Sequence, residues 1–388
     1  MTIQDAEIII VGGGLAGLAA AVSIARAGFD TIHLAPAAPP DRRTSALMMP
    51  SVDFLLRAGL IESPAAVGHP LTAIRIIDAT NRLIRAPETL FESTEIGQPA
   101  FGWNFANAKL LERFGAAAPA TGLSTRNAAV VAYHRENGLG HVSLADGTTL
   151  SAPLVVGADG KKSLIRSAAG ITAREHAFGE AALVCDLELG RPIGNTSIEF
   201  HYPHGPFTLV PAGEKRANLV WIDEEKLLRE TQAAGPEALL AALRTRSQNL
   251  FGSIALASPS FVFPLSVLSV AEAGRDGTVL VGESAHAFPP IGAQGLNLGL
   301  RDVADLVAVL AEADRSAPDW ALTASTAYAR RRSGDLQRTG GMVDALFRSL
   351  LAEMIPAQAL RAGGLWALKL LPPLRRSAFG IGMGQRRA

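Results

Sequence analysis

Two glycine-rich turns, far apart in the chain, carry the residue types that hold an anionic cofactor. The first is Gly12-Gly13-Gly14-Leu15-Ala16-Gly17, which follows the apolar run Ile8-Ile9-Ile10-Val11. Gly12 permits a tight turn, Gly14 lets backbone N–H groups approach a pyrophosphate, and Gly17 lets helix and strand pack closely. Leu15 and Ala16 open the helix, whose N-terminus presents free N–H groups and a partial positive charge to the anion. The second turn leaves Val279-Leu280-Val281 as Gly282-Glu283 and continues through Pro289-Pro290-Ile291-Gly292-Ala293-Gln294-Gly295-Leu296-Asn297. One such loop is a weak signal. Two, each leaving an apolar strand and each entering a helix, suit a large two-ended cofactor such as FAD.

In the second turn, Glu283 is placed to accept hydrogen bonds from ribityl hydroxyls. Pro290 stiffens the approach to the helix that begins near Gly295. That N-terminus, with Asn297 in its first turn, is suited to a reduced flavin carrying negative charge. His286 is the one candidate general base nearby, although a lone His beside a glycine-rich turn is more often structural. Between the two turns, Asp159 in Gly157-Ala158-Asp159-Gly160 fits either a cofactor hydroxyl or a helix cap. Arg43, in the polar stretch 41–47, fits either a phosphate or flavin edge or a solvated loop. One expected group is missing: a ribose-binding acid belongs about 20 residues after the glycine loop, and Ala35 stands there.

Elements must hold these turns together. Residues 7–11 and 31–34 read as buried strands around the helix 15–27, a βαβ unit. Residues 154–157 and 278–281 read as further buried strands. Helices are expected over 51–58, 110–118, within 225–250, over 295–311 and through most of the last fifty residues. The rest, chiefly 70–100 and 181–267, reads as strands and hairpins. The cofactor pieces are interleaved with strand-rich segments. The expected architecture is therefore α/β: a discontinuous Rossmann-like FAD-binding domain (1–70, 100–180 and 268–340), an inserted β-sheet substrate domain (71–99 and 181–267) and a C-terminal helical segment (341–388).

Composition excludes other classes. The chain has 388 residues, with 36 basic against 36 acidic, and no basic stripe for nucleic acid. The single Cys185 leaves no internal disulfide or cysteine metal site and fits a reducing, cytoplasmic setting. No metal-spaced His cluster and no Ser-His-Asp set is visible in the sequence, so no metal is expected. The segment Leu365–Arg376 mixes apolar bulk with basic residues. It suits either a helix packed on its own domain or an interfacial helix peripheral to the inner membrane.

Together these elements resemble the FAD-dependent aromatic hydroxylases of the 4-hydroxybenzoate hydroxylase type, the class A flavoprotein monooxygenases. The resemblance rests on the Gly12/Gly14/Gly17 turn, Asp159-Gly160, and Gly282-Glu283, where the family has Gly-Asp. Within the family the likeness is closer to the ubiquinone-biosynthesis hydroxylases. It is carried by Asp41-x-Arg43-x-x-Ala46-Leu47, His204-Gly205-Pro206 with Pro211 and Leu219-Val220-Trp221, Tyr328-x-x-Arg331-Arg332-x-x-Asp335, and Leu371–Arg376. The stretch Pro289–Gly295 is instead more similar to 4-hydroxybenzoate hydroxylase itself. The resemblance implies bound FAD, NAD(P)H as a transient co-substrate, and oxygen from O₂ inserted into an activated ring. The substrate is expected to be a prenylated phenol or a small phenolic acid, roofed by the inserted sheet around Leu209, Pro211 and Trp221, apolar residues that equally suit the core. A flavin reductase or dehydrogenase, or a non-catalytic subunit of a biosynthetic complex, would fit the same scaffold.

Overall fold

The computed structural model describes residues 5–80, 86–290 and 294–351. Within them the helices are α1 (Leu15–Arg26), α2 (Met49–Arg57), α3 (Asn107–Ala117), α4 (Leu164–Ala168), α5 (Glu225–Ala233), α6 (Pro236–Arg246), α7 (Gln294–Ala311) and α8 (Trp320–Leu351).

The apolar runs noted above meet in a six-stranded sheet. Its order is 274–275, 278–280, 154–157, 8–11, 31–34 and 124–126. The strand Ile8–Val11 lies parallel to both Thr31–Leu34 and Leu154–Gly157, and Leu154–Gly157 is parallel to Thr278–Leu280. The inner strands are buried at every residue, as parallel strands covered on both faces must be. Ile8, Ile9 and Ile10 join Val155, Val279 and Leu306 in one core. This core draws on strands from both ends of the chain, so the two glycine turns emerge from the same sheet edge.

A nine-stranded sheet forms the second body. Its central strand, Ala173–Leu189, pairs antiparallel with Arg216–Glu224 on one side and Phe261–Val270 on the other. The sheet thus reaches beyond residues 181–267 at both ends. Alternation divides its residues between two faces. Leu183, Cys185, Leu187, Phe207, Leu209, Leu219 and Trp221 pack with Leu228 of α5 and with Leu239 and Leu243 of α6. Val184, Asp186, Asn218 and Val220 occupy the opposite face, as their pairing register requires. A three-stranded sheet, with Gly102–Ala106 between Thr44–Met48 and Gly68–Leu71, lies between the two bodies. The strand at 44–48 falls where a polar loop is expected from sequence. Pairing with 102–106, a contact no local pattern records, overrides the local signal. Among the described residues no helix is long and apolar enough to cross a membrane.

Candidate active site

The first glycine turn is shaped by close backbone approach. Gly12 has φ +133°, and a Cβ there would lie 2.1 Å from the carbonyl oxygen of Ala158. A Cβ on Gly17 would meet the Gly12 carbonyl at the same 2.1 Å. Gly14 differs: nothing lies within 4 Å of its Cβ direction, and no side chain caps the helix it begins. The first N–H groups of α1 therefore stand over open space, a cradle that fits a pyrophosphate. Leu15 is buried in the core beside α2 and α3. The Ala35 methyl lies against Gly13, so small residues meet where the strand 31–34 ends, and no carboxylate stands there. Buried His33, on that strand, holds the Gly12 carbonyl through Nε2 at 3.0 Å. Burial pushes the His33 imidazole pKa down, and its hydrogen bond to Gly12 only partly opposes this.

The second turn packs on the first. A Cβ on Gly282 (φ +64°) would come within 2.9 Å of the Ala16 methyl, and Gly299 of α7 lies against the Gly282 backbone. Glu283 is exposed, and its Oε1 lies 3.8 Å from Arg43 Nη1. Arg43 in turn pairs bidentately with Asp41, Nε and Nη2 each at 2.9 Å. Asn107 of α3 donates to the same Asp41 carboxylate at 2.9 Å. Burial pushes the Asp41 carboxyl up, but hydrogen bonds from Arg43 and Asn107 outweigh it and hold the pKa below the usual value. The Asp41-x-Arg43 spacing noted in the sequence forms this fork around one carboxylate.

Several candidate residues are held by structural contacts, the alternative that the sequence leaves open for His286 and Asp159. His286 is not placed as a general base. Its side chain is shut from solvent, and its Nε2 is held 2.6 Å from Asp302 Oδ2. Asn297 is buried and anchors neighbouring elements. Its Oδ1 accepts from Met48 N (2.9 Å) and Ser51 Oγ (2.6 Å), and its Nδ2 donates to the Ala46 carbonyl. Asp159 supports the start of α4, whose N-cap is Ser163: Oδ1 accepts from Ser163 Oγ and Oδ2 from Ile165 N. Leu209 and Trp221 are fully or nearly buried, on the sheet face that meets α5 and α6. Their side chains face α5 and α6, opposite the face of Val184 and Val220. Pro211 is buried, and its carbonyl accepts from Asn104 Nδ2 at 3.0 Å. Pro290 is exposed, while Gly295 and Leu296 are half-buried in the first turn of α7. Gly292 and the segment 362–376 lie outside the described residues.

Asn104 identifies the face of the large sheet turned toward the glycine turns. From the strand beside 44–48 it donates to Asn218 Oδ1 at 2.7 Å, and Asn218 donates on to Asp186. The residues sharing this face are apolar: Val184 and Val220 pack with Ala182, Ile222, Leu265 and Phe178. Phe261 pairs with Val184 and Phe263 with Ala182, continuing the surface. Their rings lie 6.3 Å apart, with 42% and 46% exposed. A cavity of about 430 Å³ opens beyond Pro211, between His69, Asn195 and Gly213.

The geometry has counterparts among known proteins. A family model described as an FAD binding domain matches residues 5–339. The chain is 30% identical to the ubiquinone hydroxylase UbiL of Rhodospirillum rubrum, over 98% of this chain and 90% of the relative. It is 28% identical to the 3-demethoxyubiquinol 3-hydroxylase of Escherichia coli, over 99% and 100%. The structure of p-nitrophenol 4-monooxygenase PnpA from Pseudomonas putida superposes with a TM-score of 0.80 over 100% of both chains at 17% identity, which shows a common fold. The open cradle at Gly14 and the second turn packed on Ala16 fit FAD, and the chain belongs to the FAD-binding domain family, as an FAD-dependent aromatic hydroxylase.

Proposed function

We propose that the protein hydroxylates a phenol bearing a lipophilic prenyl tail, an intermediate of ubiquinone assembly, with NAD(P)H as electron donor. The observation that carries this is the apolar face of Val184, Val220, Phe261 and Phe263 on the side of the sheet marked by Asn104. Exposed aromatic surface of this kind covers an apolar partner. The two full-length relatives are named for quinone-ring hydroxylation. Bound FAD supplies electron transfer and activation of O₂. The chain's own residues bind and orient. Gly12, Gly14 and the N-terminus of α1 take the pyrophosphate. Arg43 and Glu283, paired beside Gly282, would border the cofactor, and the N-terminus of α7 would stabilise negative charge on the reduced flavin. His286 is shut from solvent against Asp302, and in this reading the substrate's own hydroxyl activates the ring.

The test is turnover by the FAD-loaded chain with a short-tailed prenylphenol or with 4-hydroxybenzoate. The expected result is NAD(P)H oxidation coupled to a product heavier by one oxygen atom, with the prenylated substrate preferred. Coupled turnover of 4-hydroxybenzoate alone would replace this reading with the small phenolic acid. NAD(P)H oxidation with no oxygenated product would identify a reductase. Segment 365–376 we assign to contact with an anionic membrane surface, from which such a substrate is drawn. Co-sedimentation with anionic liposomes by the full chain, and not by a chain ending before Ala362, is the expected outcome.

A further inference from the structure

Away from the cofactor cleft, a hairpin assembles a group of residues that the sequence does not show as a set. The strands Val130–Glu136 and Leu139–Leu144 are joined by Asn137-Gly138, both with positive φ (50° and 81°), the backbone of a tight two-residue hairpin turn. His134 and Glu136 lie two apart on one strand and so share a face. His141 lies directly opposite His134 in the pairing register. The two imidazole rings stack, centroids 5.0 Å apart and planes 17° apart. One ligand atom from each of His134, Glu136 and His141 lies within 4.8 Å of the others. This corrects the sequence expectation that no His cluster has metal-binding geometry: the spacing is across strands, not along the chain.

We propose that His134, His141 and Glu136 form a binding site for a borderline divalent transition-metal ion, Zn²⁺ or Cu²⁺. Two imidazoles and a carboxylate are the donor set such ions take, with a fourth position open to water. Donors bonded at about 2.0–2.2 Å in a tetrahedral site lie about 3.3–3.6 Å apart, so the stacked imidazoles and the carboxylate close on an ion by side-chain rotations that bring their ligand atoms about an ångström nearer. The backbone beneath is already fixed. Tyr133 and Val142 point inward into the core. The Tyr133 hydroxyl meets Thr278 Oγ1 at 2.5 Å, and the Arg135 guanidinium donates to the carbonyls of Pro153, Gly277 and Gly138. The ion would therefore meet a pre-ordered scaffold, which lowers the cost of binding. Ser151, the partner of His141 on the next strand, donates to the Asp5 carboxylate. The ion would clamp the outer strand of this sheet, Val130–Glu136, to its neighbour.

The test is calorimetric titration of Zn²⁺, and separately Mg²⁺, into the FAD-loaded full chain. One equivalent of Zn²⁺ is expected to bind, and Mg²⁺ to give no heat, because imidazole is a poor ligand for it. The double substitution His134→Ala/His141→Ala should weaken Zn²⁺ binding at least about tenfold, since even outer-shell changes cost about 10–100-fold. Glu136→Gln should fall between it and the wild type. Cu²⁺ electron paramagnetic resonance should show nitrogen coupling from two imidazoles, lost in the double variant. These side chains point away from the core, so flavin absorbance and far-ultraviolet circular dichroism should match the wild type and report intact folding. No Zn²⁺ binding by the wild type, or equal affinity in the double variant, overturns the proposal.

Discussion

His286 Nε2 lies 2.6 Å from Asp302 Oδ2, and neither side chain meets solvent. The same carboxylate oxygen accepts from the Gly282 backbone N–H at 2.8 Å. Its other oxygen lies 2.7 Å from Arg332 Nη2, and Arg332 also bonds Asp305 and Asp335. One buried acid on α7 thus ties the turn that carries Glu283 to α8. Burial pushes the Asp302 carboxyl up, but His286 and Arg332 outweigh it and hold its pKa below the ordinary value.

Removing Asp302 strips a buried arginine of one partner and frees the Gly282 turn. Breaking a buried ion pair from one side costs about 3–5 kcal/mol. Asp302→Ala should lower the urea midpoint by a loss of that size and weaken FAD binding in the fraction still folded. Asp302→Asn, which can still accept from Gly282, should recover part of the FAD affinity. Equal FAD affinity in Asp302→Ala and wild type would show that this tie does not position the turn.

Gly14 and Gly12 should separate cofactor binding from folding. Gly14→Ala adds a methyl to open space, so the apo-protein should unfold within about 0.5 kcal/mol of wild type. The methyl stands where the pyrophosphate approaches, so FAD should bind at least about tenfold more weakly, 1.4 kcal/mol. Gly12→Ala collides with the Ala158 carbonyl at 2.1 Å and should lower stability with or without FAD. Fluorescence quenching titrations of FAD, with melting of the apo-protein, read both effects.

These contrasts mark how far the sequence could be read. The glycine turns were legible because they sit on local signals: a short apolar strand before, an alanine-rich helix after. The α/β fold class followed from interleaving those signals with strand patterns. The roles of His286 and Asn297 were not legible. Each is decided by a partner far along the chain, Asp302 through the packing of α7 and Met48 through the sheet at 44–48. For Leu209 and Trp221 the sequence left roof and core open, because alternation shows which residues share a face, not which face meets the cleft; both lie in the core. The Asn104–Asn218 contact between sheets, 114 residues apart, carries no local signal.

Acid should act on this fold in two steps. His33 is held below its ordinary pKa of 6.5 by burial. Between that value and its folded value the unfolded chain binds more protons, so stability falls as the pH drops below about 6.5. Asp302 is depressed relative to 3.8. Its contribution is present above that value and lost as the pH falls through the folded one. His69 shifts in the direction of His33 but is largely exposed and contributes less. Urea midpoints measured from pH 8 to pH 3 should decline below about 6.5 and again below about 4. His33→Gln should flatten the first decline and leave the second.

The two faces of the large sheet give the sharpest test of substrate placement. Leu209→Ala opens a cavity against α5 and α6 and should cost about 2–5 kcal/mol, with KM per folded molecule unchanged. Phe261→Ser removes an exposed ring from the opposite face. Its stability cost should stay under about 1 kcal/mol, because the ring is already 42% exposed. Its kinetic effect should depend on the substrate. KM for a prenylated phenol should rise several-fold, while KM for a tail-free phenol stays the same. The comparison also separates a tail contact from a general disturbance of the cleft, which would raise both constants together. A rise in KM for Leu209→Ala with none for Phe261→Ser would return the substrate to the α5–α6 side and reverse the face assigned here.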